Sequence, residues 1–178
     1  LSNRAGLEKT LVELTQSDPK HSRQISCGLI DIDRFTRLMD RYGPDVCDRI
    51  LRGLGILLSS LIRTNRGFDR MGRFDGQRFL VLLADTGPRS ALSTVERIRQ
   101  TIEKTNFDLE GQTIKVTAQC GVAELGSMET IDSFFGRLES ATETAKREGR
   151  NCTALDEGQG PVKMVAPNYN MKERIITL

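Results

Sequence analysis

Charged and amide side chains crowd one short stretch, Arg73-Phe74-Asp75-Gly76-Gln77-Arg78-Phe79. It runs straight into the apolar segment Leu80-Val81-Leu82-Leu83-Ala84. Asp-Gly is among the strongest two-residue turn signals, so two short strands flanking Asp75-Gly76 are predicted to form a β-hairpin. The chain is richer in arginine than in lysine, and the planar guanidinium favours fork-like contacts to phosphate and carboxylate. Other chemistries are poorly served. His21 is the only histidine and lies in a polar stretch, which argues against a His-based triad or a multi-His metal site. Cys27, Cys47, Cys120 and Cys152 are widely spaced, with no CxxC pair, and do not read as a zinc site or a disulfide framework. Cys27 and Cys120 lie in apolar runs and read as small buried hydrophobes.

These residues must be positioned by an ordinary core. The chain has 178 residues, 38% of them hydrophobic, enough for one domain. A net charge of +2 is no strong nucleic-acid footprint. No stretch of about 18 apolar residues reads as a membrane span, and the start lacks a signal-peptide pattern. A reducing cytoplasm is the expected compartment. The absence of an initial Met leads to the expectation of a fragment of a longer protein.

Leu7, Leu11, Val12 and Leu14 predict a short amphipathic opening helix. Residues 25–32 read as a buried strand ending in Asp31-Ile32-Asp33. Residues 35–42 read as a short helix. Pro44 suits the first turn of a second one, with Val46, Ile50, Leu51, Leu54 and Leu58 at helical spacing. The hairpin is expected over about 68–84. A helix is expected over 90–105, a strand over 114–124, a helix over 131–146 closed by Gly149, and a short strand over 151–155. Residues 156–178 show no clear period and read as a linker or an added arm. The fold class expected is α/β (α+β), a mostly antiparallel central sheet with helices packed on it.

Asp31-Ile32-Asp33-Arg34-Phe35, the hairpin, and Ala145-Lys146-Arg147-Glu148-Gly149-Arg150-Asn151, in that order, resemble the GGDEF family of diguanylate cyclases. Leu1-Ser2-Asn3-Arg4 looks like the end of that family's opening LTGLxNR motif. Gln119-Cys120-Gly121-Val122-Ala123 resembles its SxGxA strand. The resemblance covers residues 1–155, with 156–178 left as the tail. It implies a palm-like, nucleotide-cyclase-like sheet. In active members two domains face each other, each with one GTP and metal ions, and make cyclic di-GMP by phosphoryl transfer. That chemistry rests on positioning and charge neutralisation, so carboxylates that hold magnesium are central.

By the same resemblance, Asp31 matches the first metal-binding aspartate and Ile32 offers its backbone carbonyl. Lys146 and Arg150 match residues that contact GTP phosphates, and Asp48 an acid that contacts guanine. The signature positions fall on Asp75, Gly76, Gln77, Arg78 and Phe79, so the motif is degenerate. Gln77 replaces the acid that helps hold metal, and an amide is a poor substitute on magnesium. Arg78 puts a cation where the family has glutamate. Asp75 replaces a glycine, adding a side chain and a negative charge near phosphate. Met39 stands where a guanine-binding asparagine is expected, and Pro44 and Cys47 replace the adjacent His and Gly. Catalytic turnover is not expected, no metal site is assigned, and magnesium would enter only with residual GTP binding.

The family's product-inhibition motif, RxxD plus an arginine on the following helix, is matched by Arg66-Gly67-Phe68-Asp69 and Arg97. Guanidinium groups can grip phosphate or the guanine O6/N7 edge, and a carboxylate can accept from guanine N1 and N2. The leading expectation is an inactive regulatory domain that binds cyclic di-GMP through Arg66, Asp69 and Arg97. It would sit downstream of a sensory domain in bacterial signalling, with a homodimer as a possible assembly. The alternatives are an interaction or dimerisation module that binds no nucleotide, a GTP-binding regulatory domain, and, last, a residual cyclase.

Overall fold

The computed structural model describes residues 2–17, 23–62 and 69–178. Its middle strand is β2, Ile25–Ile32, flanked by β4, Arg78–Ala84, and β7, Ala118–Glu124, both antiparallel to it. The hairpin partner β3, Arg70–Asp75, and the short β1, Ser2–Asn3, extend the sheet on one side. On the other side lie β8, Thr153–Asp156, and β9, Pro161–Met164. The strand order is β1-β3-β4-β2-β7-β8-β9, with parallel pairing only at β1/β3 and β7/β8. The expected α+β sheet flanked by helices is what the chain forms.

Helices cover both faces. α2, Phe35–Leu61, and α3, Pro88–Glu103, lie on one; α1, Arg4–Gln16, and α4, Ile131–Arg147, on the other. Phe79, Val81 and Leu83 of β4 enter the core of the first face, while Leu80 and Leu82 enter that of the second. This period of two explains why β4 reads as an unbroken apolar run: both of its faces are covered. Each such fully buried side chain contributes roughly 1.5–3 kcal/mol of transfer free energy.

Local signals account for the helix ends nearest the site. The Asn3 side chain accepts from Gly6 N at 2.9 Å and starts α1. α2 is broken at Gly43, whose φ of 80° suits only a residue without Cβ, and Pro44 restarts the helix. The two helices expected from sequence are thus present, end to end. Gly149, at φ 114°, ends the turn that follows α4.

Several boundaries differ from expectation. The stretch 114–124 is not one strand. Glu110 and Gly111, both at positive φ, turn β5, Thr105–Leu109, back into β6, Gln112–Lys115. That hairpin belongs to a second sheet of three strands, and β7 starts afresh at Ala118. α3 therefore stops at Glu103, short of the 105 expected, because Thr105 is already paired in β5. The last expected strand begins at Thr153 rather than 151. In the hairpin, Asp75 pairs with Arg78, so Gly76 and Gln77 form the turn, one residue later than expected.

Residues 156–178 add β9 to the large sheet and β10, Arg174–Thr177, to the small one, beside β5. Between them the Gln100 side chain clasps the backbone, donating to Pro167 O at 2.9 Å and accepting from Tyr169 N at 2.8 Å. All four cysteines are free and buried.

Candidate functional site

Asp31 stands one residue from the end of β2, opposite Arg78 of β4 and Gln119 of β7. Its carboxylate is held by amides on both sides. Gln77 Nε2 donates to one oxygen at 3.0 Å and Gln119 Nε2 to the other at 2.9 Å. Gln119 is 2% exposed, and its own Oε1 is buried without a hydrogen-bond partner. The signature hairpin places Gln77 here because β4 pairs with β2 in register, Asp31 against Arg78.

Beside Asp31 opens a cavity of about 330 Å³ lined by Asp31, Ile32, Arg34, Phe35, Thr36, Arg37, Gln77, Gln119, Lys146 and Arg150. Asp31, Gln77, Lys146 and Arg150, far apart in sequence, line this one cavity. Four cationic side chains face a single carboxylate. Arg34, Arg37 and Gln119 were not assigned to the site from sequence, although Arg34 lies within the quoted Asp31–Phe35 motif and Gln119 opens the quoted Gln119–Ala123 motif. Arg34 stands in the left-handed region at φ 54° and gives α2 no side-chain cap. Arg34 and Arg37 form no ion pair among the described residues. Lys146 is paired with Glu143 at 3.2 Å on the last turn of α4.

The segment after α4 is fixed by Asp33. One Asp33 oxygen accepts from Thr117 Oγ1 at 2.6 Å and from Asn151 N at 3.0 Å. Burial pushes the Asp33 carboxyl above its usual range, against these hydrogen bonds and the nearby charge of Arg150. Asp33 ties the β2–α2 turn to the backbone that carries Arg150.

Asp75 does not add a free negative charge to the cavity. Its carboxylate is engaged by both Arg78 Nε and Nη2, and Arg78 Nη1 also reaches Glu139 Oε1 of α4 at 3.2 Å. Asp75 and Arg78 thus neutralise each other across the turn. Their partners raise the Arg78 pKa still further, Asp75 foremost.

A divalent cation bridging Asp31 and position 77 does not fit these residues. The amide at 77 donates to the carboxylate instead of joining it as an anionic ligand. Among the described residues no group of three or more His, Cys, Asp or Glu side chains is placed to hold a metal ion. Asp48 stands apart, on α2, paired with Arg52 at 2.7 Å, and does not line this cavity.

A second cavity, of about 230 Å³, lies between the end of α2 and α3. Asp69 and Arg97 both line it, with Leu61, Ile62, Leu83, Thr86, Ser90 and Thr94. Asp69 Oδ1 accepts from Ala84 N at 3.0 Å, which docks this acid against the end of β4. Arg97 is exposed on α3. Arg66, the third member expected there, lies outside the described residues.

No helix among the described residues is long and apolar enough to cross a membrane. The family model for the diguanylate cyclase GGDEF domain matches residues 1–152. Diguanylate cyclase DgcP of Pseudomonas aeruginosa is 29% identical over 151 residues, 85% of this chain but 22% of its own length. Diguanylate cyclase A of Treponema denticola is 30% identical over 146 residues, 82% of this chain and 38% of its own length. The chain thus spans about a fifth to two fifths of these curated relatives. Among solved structures, diguanylate cyclase SiaD of Pseudomonas aeruginosa, in complex with its activator SiaC, superposes with a TM-score of 0.82 at 29% identity, covering 88% of this chain and 59% of that one.

Proposed function

Because the chain belongs to the diguanylate cyclase GGDEF domain family, matched over residues 1–152, we propose that it is a member without cyclase activity, and that it works by binding cyclic di-GMP. The observation that carries the first half is the Gln77–Asp31 hydrogen bond of 3.0 Å, in the place where the family's reaction needs an acid on metal. Losing a metal carboxylate removes several kcal/mol of the charge stabilisation that phosphoryl transfer depends on. Arg78, committed to Asp75 and Glu139, supplies no replacement acid.

The second half rests on Asp69 and Arg97, which line one cavity although they stand 28 positions apart in the chain. A guanidinium and a carboxylate lining one cavity match the phosphate and the guanine edge of a cyclic dinucleotide. Arg66 completes the motif in sequence. The GGDEF domain of DgcB from Caulobacter crescentus was solved in complex with cyclic di-GMP; at 21% identity and a TM-score of 0.78 it offers the fold as precedent and no more. In this reading the domain is a cytoplasmic regulatory module of a larger bacterial signalling protein, controlled by a sensory domain upstream and able to pair with a second copy.

Titration calorimetry tests it. The chain is expected to bind cyclic di-GMP with a Kd of about 10 µM or tighter, and Arg97→Ala or Arg66→Ala to weaken it at least tenfold. An equal affinity in Arg97→Ala, or no heat from the wild type, rejects the assignment. Conversion of GTP to cyclic di-GMP by the chain with magnesium or manganese rejects the absence of turnover.

A further inference from the structure

We propose that the cavity beside Asp31 binds the phosphate chain of a nucleoside polyphosphate directly, with no divalent cation, and that Gln77 is the residue that makes this possible. The inference goes beyond the cyclic di-GMP reading and uses a different cavity.

Two acids and a polyphosphate in one cavity repel each other unless a cation stands between them. Here only one acid remains. Both oxygens of Asp31 already accept amide N–H groups, from Gln77 at 3.0 Å and Gln119 at 2.9 Å. A metal ion entering at Asp31 must compete with these donors and finds no second carboxylate. Gln77 therefore does part of the work of a cation: it satisfies Asp31 while adding no charge of its own.

The rest of the lining favours an anion. Arg34, Arg37, Lys146 and Arg150 surround the cavity, and two of them, Arg34 and Arg37, have no acidic partner among the described residues. Arg34 and Arg37 lie on the entry turn of α2, and Lys146 and Arg150 on the exit of α4, so cations approach the cavity from two sides. Guanidinium forks suit phosphate oxygens. Arg34 provides no side-chain cap to α2, so the first-turn N–H groups at Phe35, Thr36 and Arg37 remain for a ligand oxygen.

The cations outnumber the acids four to one in this lining. In most phosphoryl-transfer sites magnesium does this neutralising; here arginine and lysine do it. The consequence is binding without turnover.

The test is calorimetric titration of the chain with inorganic tripolyphosphate and with GTP, in EDTA and in magnesium. Wild type is expected to bind both probes in EDTA, with affinities within about threefold of those in magnesium. Arg37→Ala and Arg150→Ala are expected to weaken binding at least tenfold, with melting temperatures checked to confirm folding. Gln77→Glu, a near-isosteric change, is expected to restore metal dependence, with at least tenfold loss in EDTA relative to magnesium. Wild-type binding that disappears in EDTA, no binding of either probe at about 1 mM, or a Gln77→Glu variant as indifferent to magnesium as wild type would each overturn the proposal. The cyclic di-GMP titration succeeds or fails separately, because it reads Arg97 and Arg66.

Discussion

Replacing Arg99 by Met is expected to do more damage than any single change at the exposed Arg97 two residues away. Arg99 sits on the inner side of α3, its side chain 8% exposed. Its Nε donates to Glu96 Oε1 at 2.7 Å, and the carboxylate of Glu96 is itself only 7% exposed. Glu96 also accepts from Thr153 Oγ1 at 2.6 Å and from Gln100 Nε2 at 3.2 Å. Arg99 further reaches Glu103 and the side chain of Asn151. Removing the guanidinium leaves Glu96 as an uncompensated buried charge, which costs roughly 3–5 kcal/mol. The Glu103 contact adds little, since that carboxylate is 38% exposed and its pairing is screened. The cost reaches the candidate site as well, because Asn151 N anchors Asp33 and the backbone next to Arg150. Urea unfolding of Arg99→Met should therefore show a midpoint shift equivalent to roughly 3–5 kcal/mol at unchanged slope. The Arg99→Met/Glu96→Gln double variant should recover most of it, since no buried charge is then left alone. A loss below about 1 kcal/mol in the single variant, or a double variant no more stable than the single, would refute the reasoning.

Two other outcomes follow from the structure. Arg137 foremost, with Gly126 N and Ser133 Oγ, holds the Glu129 carboxyl down to about 2, below the ordinary 4.5. A depressed folded value stabilises above pH 4.5, and that contribution drains away as pH falls from about 4.5 to about 2; Glu129→Gln should cost roughly 1–3 kcal/mol at pH 7 and flatten the acid limb of a stability–pH profile measured by urea unfolding. Ending the chain after Asp156 removes β9, β10 with its Ile176 paired beside Phe107 and packed on the core, and the Gln100 clasp. Calorimetric melting should drop by roughly 5–10 °C, whereas an unchanged melt would show the arm to be no part of the folded unit.

Much of the fold was legible because its signals are local. Gly43-Pro44 breaks α2, Gly149 follows α4, and Asp75-Gly76 announces a hairpin; each acts through φ within a few residues. The β5–β6 hairpin was not legible. Its turn, Glu110-Gly111, lies in a polar stretch, and Val116 bridges the end of β6 to the start of β7, so an apolar pattern runs across two strands of different sheets. The tail carried no period because its strands are short and pair only at sheet edges.

Sequence by itself determined the family and the side-chain identities: what stands at 31, 75, 77, 78, 146 and 150 is a property of the chain, and an amide at 77 is no carboxylate in any fold. Tertiary structure alone decided what those identities mean together. In Val95-Glu96-Arg97-Ile98-Arg99 two arginines look alike, yet a helix turns about 200° between them, so Arg97 faces solvent and Arg99 is buried against Glu96. Asp75 and Arg78 are charges of unknown partner until the turn brings them together. Gln77, read in sequence as the loss of a ligand, proves to be the donor that satisfies Asp31. Hydrogen bonds and ion pairs depend on distance and direction, and those exist only once β2, β4 and β7 lie in register.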